Sequence, residues 1–373
     1  MTAAAALGQV SRSGLAMVEA DRRSPNPAVL VRLTRGLGVQ PDVWLPVYLQ
    51  GEPRCQRLVE LAKVLFEAGD YEAARLVLGR AYFISRRTGD GRHNAEIYHM
   101  LGRVRLTLGH HGRALRWFKL LECAVRDGSD ARIQAVATFN VALCMGQVGQ
   151  EFEAVARFNE AIKQFGRQQL KLELSWAWLA KANVLLKLRL HREAQQAYRS
   201  AAHYLRGQGL HGDAMLGLAI TTHALQGAEA SMPLYRNILG RYQENYLLCA
   251  KTRVNLAVAL RDLGLFEDAV REVDTALTDR SRLPTPLVAS LLTEAALLRA
   301  LGHDDALAIH ALAEYKSLTG RRDGQDIAVM RILAQALDTV PPQEELPRIV
   351  GDEHEHRLRD ALGVLDGEVA RDG

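Results

Sequence analysis

One short stretch of sequence, Ala68-Gly69-Asp70-Tyr71-Glu72-Ala73-Ala74, decides how the chain folds. It reads as the end of one helix, a turn at the glycine and the start of a second helix. The glycine and the last alanine recur 40 residues later as Gly109 and Ala114, and again as Gly149 and Ala154. A turn that returns at this spacing indicates a stacked array of helical hairpins.

The spacing continues beyond the third unit. Arg189 takes the turn position of the fourth unit, and Gln226 takes that of the fifth, where the glycine follows one residue late as Gly227. The sixth and seventh units return to glycine, with Gly264 and Gly302. We therefore expect about seven hairpins.

Small residues occupy two further positions of each unit. The eighth position is alanine or glycine in all seven units, namely Ala62, Gly102, Ala142, Ala182, Ala219, Ala257 and Ala295. The twentieth is small in six, namely Ala74, Ala114, Ala154, Ala194, Ser231 and Ala269, while the seventh unit has Leu307 beside Ala306. Two helices approach closely only where neither carries a bulky side chain.

This pattern resembles the tetratricopeptide repeat over roughly residues 55–318, although units of 37–40 residues are longer than the usual 34. The resemblance implies an all-α fold, a right-handed superhelical solenoid of about seven hairpins. We expect the array and a capping helix near 326–337 to occupy residues 53–338. The charged residues 339–373 are expected to form a mobile tail.

Composition narrows the class of protein. Hydrophobic residues make up 48% of the 373-residue chain, and the net charge is only +4. No uninterrupted apolar run reaches 18 residues, so we expect no membrane span. Widely scattered cysteines favour reduced thiols and hence a cytoplasmic location. The cysteines are scattered without a C-x-x-C pair, at Cys55, Cys123, Cys144 and Cys249. With no recognisable catalytic motif either, we expect no metal, no cofactor and no enzymatic activity.

Residues 1–50 lack the repeat and have another pattern. Ser11 is a good N-cap for a short helix that Pro25 stops, and Pro27 opens a helix that ends at Gly38. The order resembles the Cro/repressor-type (XRE) helix-turn-helix. The matching residues are Val10, Ser11, Ser13, Leu15, Val18, Glu19, Arg23, Pro25, Leu30, Leu33, Leu37, Gly38 and Val39.

In that family the helix near Ser11 lies in the major groove. The resemblance implies that Arg12, Ser13 and Met17 face base edges, with Thr2, Ser11, Arg22 and Arg23 near phosphates. We expect the first helix of the family fold to be missing, so either the true start lies upstream or the head is degenerate. A leftover helical cap on the array is the alternative interpretation.

The first helix of each hairpin lines the concave groove in tetratricopeptide repeats. Its inner positions hold polar residues, which we take as ligand-binding candidates: His99, Arg103, Asn140, Gln147, Asn183, Lys187, Lys251, Asn255, Arg261 and Arg299. A carboxamide offers both a donor and an acceptor, so the asparagines suit a peptide backbone. The five cations would receive a carboxylate.

A helix-turn-helix followed by long repeats resembles the RRNPP group of peptide-sensing bacterial regulators. The resemblance implies a cytoplasmic, homodimeric transcriptional regulator used in quorum sensing, with DNA and a peptide or protein segment as its partners. The alternative is a protein-interaction scaffold that does not bind DNA.

Overall fold

A computed structural model describes residues 54–89, 91–126, 130–207 and 209–301, with single positions between 307 and 318. Every regular element in these ranges is helical. The α-helices are α1 (Arg54–Glu67), α2 (Tyr71–Thr88), α3 (Asn94–Thr107), α4 (His111–Ala124), α5 (Ala131–Gln147), α6 (Glu151–Arg167), α7 (Lys171–Lys187), α8 (His191–Tyr204), α9 (His211–Gln226), α10 (Ala228–Arg241), α11 (Tyr246–Asp262), α12 (Phe266–Leu277) and α13 (Thr285–Leu301). The expected helix-turn-helix, capping helix and tail lie outside the described residues.

The chain divides into two compact units, with the boundary between Gln164 and Phe165, inside α6. In the first unit α1 packs on α2 and α3 on α4, and α1 also contacts α3. In the second, α7 packs on α8, α9 on α10 and α11 on α12. There the first helices of successive hairpins, α7, α9, α11 and α13, also contact one another. Each unit is therefore a stack of helical hairpins, which confirms the expected fold class.

The small residues of the repeat lie where the helices meet. At the eighth position every alanine is buried, and a Cβ added to Gly102 would come within 2.5 Å of the Phe118 ring. At the twentieth position all six small residues are fully buried. Leu307, the exception in the seventh unit, is 47% exposed. The small residues thus set how closely the two helices of a hairpin approach.

The turn residues have a backbone conformation with positive φ. The glycines at 69, 109, 149 and 264 have φ between +74° and +83°. Gly227 has φ +92°, so the late glycine of the fifth unit is the one that turns the chain. Arg189, which replaces glycine in the fourth unit, still adopts φ +59°, a conformation that side chains with a Cβ rarely take. The turn geometry therefore persists where the glycine is absent.

Candidate ligand-binding surface

The inner-face candidates of the first unit lie on α3 and α5. On α3, Arg103 places its guanidinium 4.5 Å from the centre of the Phe66 ring, and Glu96 forms an ion pair with Lys63 of α1. His99 lies between these charges along the helix. Burial, and then the positive charge of Arg103, lower the pKa of His99 to about 4, although Glu96 acts in the opposite direction. His99 is therefore a neutral imidazole at pH 7.

Asn140, on α5, is a buried polar residue among the ligand-binding candidates of the first unit. Its side chain is only 8% exposed, and it forms no hydrogen bond with any described residue. Gln147, further along α5, is half-buried, and its side chain likewise forms no hydrogen bond with any described residue. Within the described part of the chain, these two carboxamides leave both a donor and an acceptor unused.

In the second unit, the asparagine side chains form hydrogen bonds within the fold. The Tyr198 hydroxyl donates a 2.7 Å hydrogen bond to Asn183 Oδ1, which ties α7 to α8. Asn255 is 6% exposed, and its Nδ2 donates to the Lys251 carbonyl one turn earlier at 2.8 Å. Each amide therefore already uses one of its groups within the fold. Lys187 lies exposed at the end of α7.

Three of the candidate cations have acidic partners on neighbouring helices. Lys251 Nζ lies 3.8 Å from Asp213 Oδ1, and Arg299 Nη2 lies 2.7 Å from Asp274 Oδ1. Arg261 Nη1 donates to Glu294 Oε1 at 2.5 Å. A ligand carboxylate would have to displace these partners, so these three cations are less accessible to a ligand than the sequence suggests.

The Arg261 pair belongs to a larger polar group that sequence reasoning missed. Glu294 is fully buried, and its second oxygen has no hydrogen-bond partner among the described residues. Burial raises the pKa of Glu294, although Arg261 opposes the shift. Asp262 lies beside Arg261 and within 3.1 Å of His223 Nε2. The signal in the sequence was the single acid in the apolar stretch Leu291-Leu292-Thr293-Glu294-Ala295-Ala296.

Other predicted sites fall elsewhere. The DNA-contact candidates Thr2, Ser11, Arg12, Ser13, Met17, Arg22 and Arg23 lie outside the described residues. Across the described ranges no three histidine, cysteine or acidic side chains come together as metal ligands. Within those ranges no helix combines the length and apolar character needed to cross a bilayer.

Two family models match the chain, the tetratricopeptide repeat over residues 56–122 and the helix-turn-helix over residues 1–44. The array has the tetratricopeptide-repeat fold. Both resemblances inferred from the sequence are thereby confirmed at the level of these segments. No curated protein matches the chain significantly.

Solved structures share the fold of the repeat array. A tetratricopeptide repeat protein from Parabacteroides merdae is 15% identical, with a TM-score of 0.58, covering 75% of this chain and 98% of its own. The apo form of RapI is 12% identical, with a TM-score of 0.58, covering 76% and 100%. A Rap protein complexed with Competence and Sporulation Factor is 13% identical, with a TM-score of 0.54, covering 88% and 91%. At these identities the likeness concerns the fold alone.

Proposed function

We propose that the chain is a transcriptional regulator whose repeat array binds a peptide or protein segment and whose N-terminal head binds DNA. The observation that carries the proposal is the helix-turn-helix match at residues 1–44, which precedes the repeat array in the same chain. The coupling of the two segments would let a ligand on the array regulate DNA binding. A cytoplasmic homodimer is part of this proposal.

Support for a ligand on the array comes from the amides of Asn140 and Gln147, which form no side-chain hydrogen bond with any residue that the structure describes. A peptide backbone alternates donors and acceptors, and a carboxamide matches both without selecting a side chain. The Rap protein with the same fold was solved with Competence and Sporulation Factor bound. We infer that this array also binds an extended segment, with Asn140 as its anchor in the first unit.

DNA binding is tested with the full-length chain and a library of random DNA duplexes. We expect enrichment of a defined sequence, with an affinity that falls as salt rises because bound phosphates release counterions. The triple variant Arg12→Ala, Arg22→Ala, Arg23→Ala should flatten the salt dependence, by about 0.9 in logarithmic slope for each phosphate that the head no longer neutralises. The control removes the same charge from exposed arginines of the array, Arg80, Arg113 and Arg116. Failure of the chain to enrich any duplex would leave the interaction scaffold as the better function.

Peptide binding is tested with a phage-displayed library of random peptides selected on the full-length chain. Asn140→Ala should weaken the selected peptides by about tenfold, since a hydrogen-bonded group is removed from the complex. Asn159→Ala is the matched control, because Asn159 is exposed on α6, the second helix of the same hairpin. Asn255→Ala, with exposed Asn237→Ala as its control, asks the same of the second unit. Unchanged affinity in both asparagine variants would contradict the assigned surface.

A further inference from the structure

Two adjoining cavities open at the beginning of α9, in the second unit. Their volumes are about 340 Å³ and about 410 Å³, and they share Arg206, His211 and Met215 as walls. The second half of α8, the α8–α9 connection, the first half of α9 and the end of α10 contribute the lining. None of these residues is among the inner-face candidates described above.

The polar lining of the cavities is basic. Its polar residues are Arg199, His203, Arg206, His211 and Arg241, and no described residue that lines either cavity carries a carboxylate. Ala202, Met215 and Leu218 supply the apolar part of the wall. The cavities are therefore suited to an anion that carries an apolar or aromatic body.

The arginines here lack the acidic partners found elsewhere on the array. Arg206 and Arg241 form no ion pair with any described residue, and Arg199 Nη2 donates to the neutral Gln195 amide at 3.0 Å. By contrast, Lys251, Arg261 and Arg299 each face a carboxylate. The local field is felt by His211, whose pKa is lowered by burial and then by Arg241 and Arg206. Positive charge is thus concentrated here, and none of the described residues that line the cavities supplies a counter-charge.

The cavity wall is held in place by close packing. His211 is only 7% exposed, and its Nδ1 lies 2.5 Å from the Tyr242 hydroxyl in a hydrogen bond between α9 and the end of α10. Gly212 allows α9 to pack closely on Leu248 of α11, because a Cβ there would lie 2.2 Å from Leu248 Cδ2. Leu210 provides no side-chain cap for α9, and Asp213, the acidic residue in the first turn, faces Lys251. His211 is therefore a fixed part of the wall, and the exposed side chains of Arg199, His203, Arg206 and Arg241 lie around it.

We propose that these cavities bind a small phosphate-bearing molecule. An arginine guanidinium donates two parallel hydrogen bonds to phosphate oxygens, and three arginines without carboxylate partners can neutralise more than one phosphate charge. A nucleotide and a phosphorylated metabolite share this chemistry, and the apolar wall accommodates the organic part of either. The residues that line the cavities include none of the DNA-contact candidates and none of the inner-face amides.

The test is calorimetric titration of the full-length chain at fixed ionic strength with pyrophosphate and with adenosine triphosphate. We expect one site per chain, with binding about tenfold weaker in each of Arg206→Gln and Arg241→Gln, as expected for removal of a charge-assisted hydrogen bond. Arg192→Gln on α8 and Arg236→Gln on α10 are the controls, because both arginines are exposed and line neither cavity. Circular dichroism and urea midpoints verify that all four variants fold equally well.

Each outcome has a distinct meaning. Tighter binding of adenosine triphosphate than of pyrophosphate supports a nucleotide site, and equal binding supports a site for other phosphorylated molecules. Equal weakening in cavity and control variants would show diffuse charge attraction and overturn the site. Absence of binding by both probes at millimolar concentration would overturn it as well.

Discussion

Position 102 requires a residue without a Cβ. The ring of Phe118, which is fully buried, would lie 2.5 Å from an added Cβ, and a buried ring has no free direction in which to move. Gly102→Ala should therefore lower the free energy of unfolding by about 1–2 kcal/mol, because overpacking exceeds the gain in helix propensity. Urea denaturation measures the change.

Gly79 provides the matched control for Gly102. It also lies inside a helix, α2, but a Cβ added there meets no atom within 4 Å. The same substitution should raise stability at Gly79 by about 0.5–1 kcal/mol, since alanine is the better helix former. A change of the same sign at both positions would show that propensity alone governs them and that the Phe118 contact is unimportant.

His99 gives the first unit a pH dependence. Its pKa is about 4 in the folded chain and 6.5 in the unfolded chain, so the unfolded state binds a proton first as the pH falls. The stability that its neutral form contributes is complete above pH 6.5 and is lost as the pH falls from 6.5 towards 4. The loss amounts to at most ~3 kcal/mol at about 1.4 kcal/mol per pKa unit.

Comparison with His99→Gln isolates this contribution. The free energy of unfolding of the natural chain minus that of the variant should decrease as the pH is lowered from 7 to 4.5. Urea denaturation at each pH measures both values. Parallel pH curves for the two proteins would contradict a depressed pKa. The chemical shifts of the His99 ring report the same titration directly.

At the scale of helices, the periodic positions could be predicted and the cross-helix partners could not. The spacing of Gly69 and Ala74 identified the buried small residues, because a repeated backbone needs the same close approach in each unit. The same spacing could not show that the Tyr198 hydroxyl forms a hydrogen bond with Asn183. Nor could it show that Asp213 and Asp274 form ion pairs with candidate cations of the groove. Those contacts depend on side chains from other helices. The basic cavities were not predicted, because the residues that line them do not occupy the repeat positions from which the buried and groove-facing residues were inferred.

The ion pair between Arg261 and Glu294 links α11 to α13, and its contribution to the packing of these helices can be tested. Arg261→Met would leave a buried, unpaired carboxyl at Glu294 and should cost about 3–5 kcal/mol of stability, as breaking buried pairs usually does. The double variant Arg261→Met, Glu294→Leu removes both polar groups and should recover most of that stability. Urea denaturation of the two variants checks this order. A double variant less stable than Arg261→Met would show that Glu294 has another essential partner.

At the scale of the whole molecule, a regulator must couple two binding events in one chain. If a peptide selected on the array changes the affinity for an enriched duplex by some factor, DNA must change the affinity for that peptide by the same factor. Couplings of this kind typically span about 5–150-fold. We expect a factor in this range, measured by fluorescence anisotropy of labelled peptide with and without saturating DNA, and of labelled DNA with and without saturating peptide.

The variants separate coupling from binding. Asn140→Ala should weaken the peptide while leaving the affinity for DNA alone unchanged, because the substitution lies in the array and the duplex contacts are assigned to the head. The triple head variant should do the reverse. If saturating DNA leaves the affinity for peptide unchanged, and saturating peptide leaves the affinity for DNA unchanged, the two segments work independently. The chain would then be a DNA-binding protein with a separate interaction array rather than a ligand-responsive regulator.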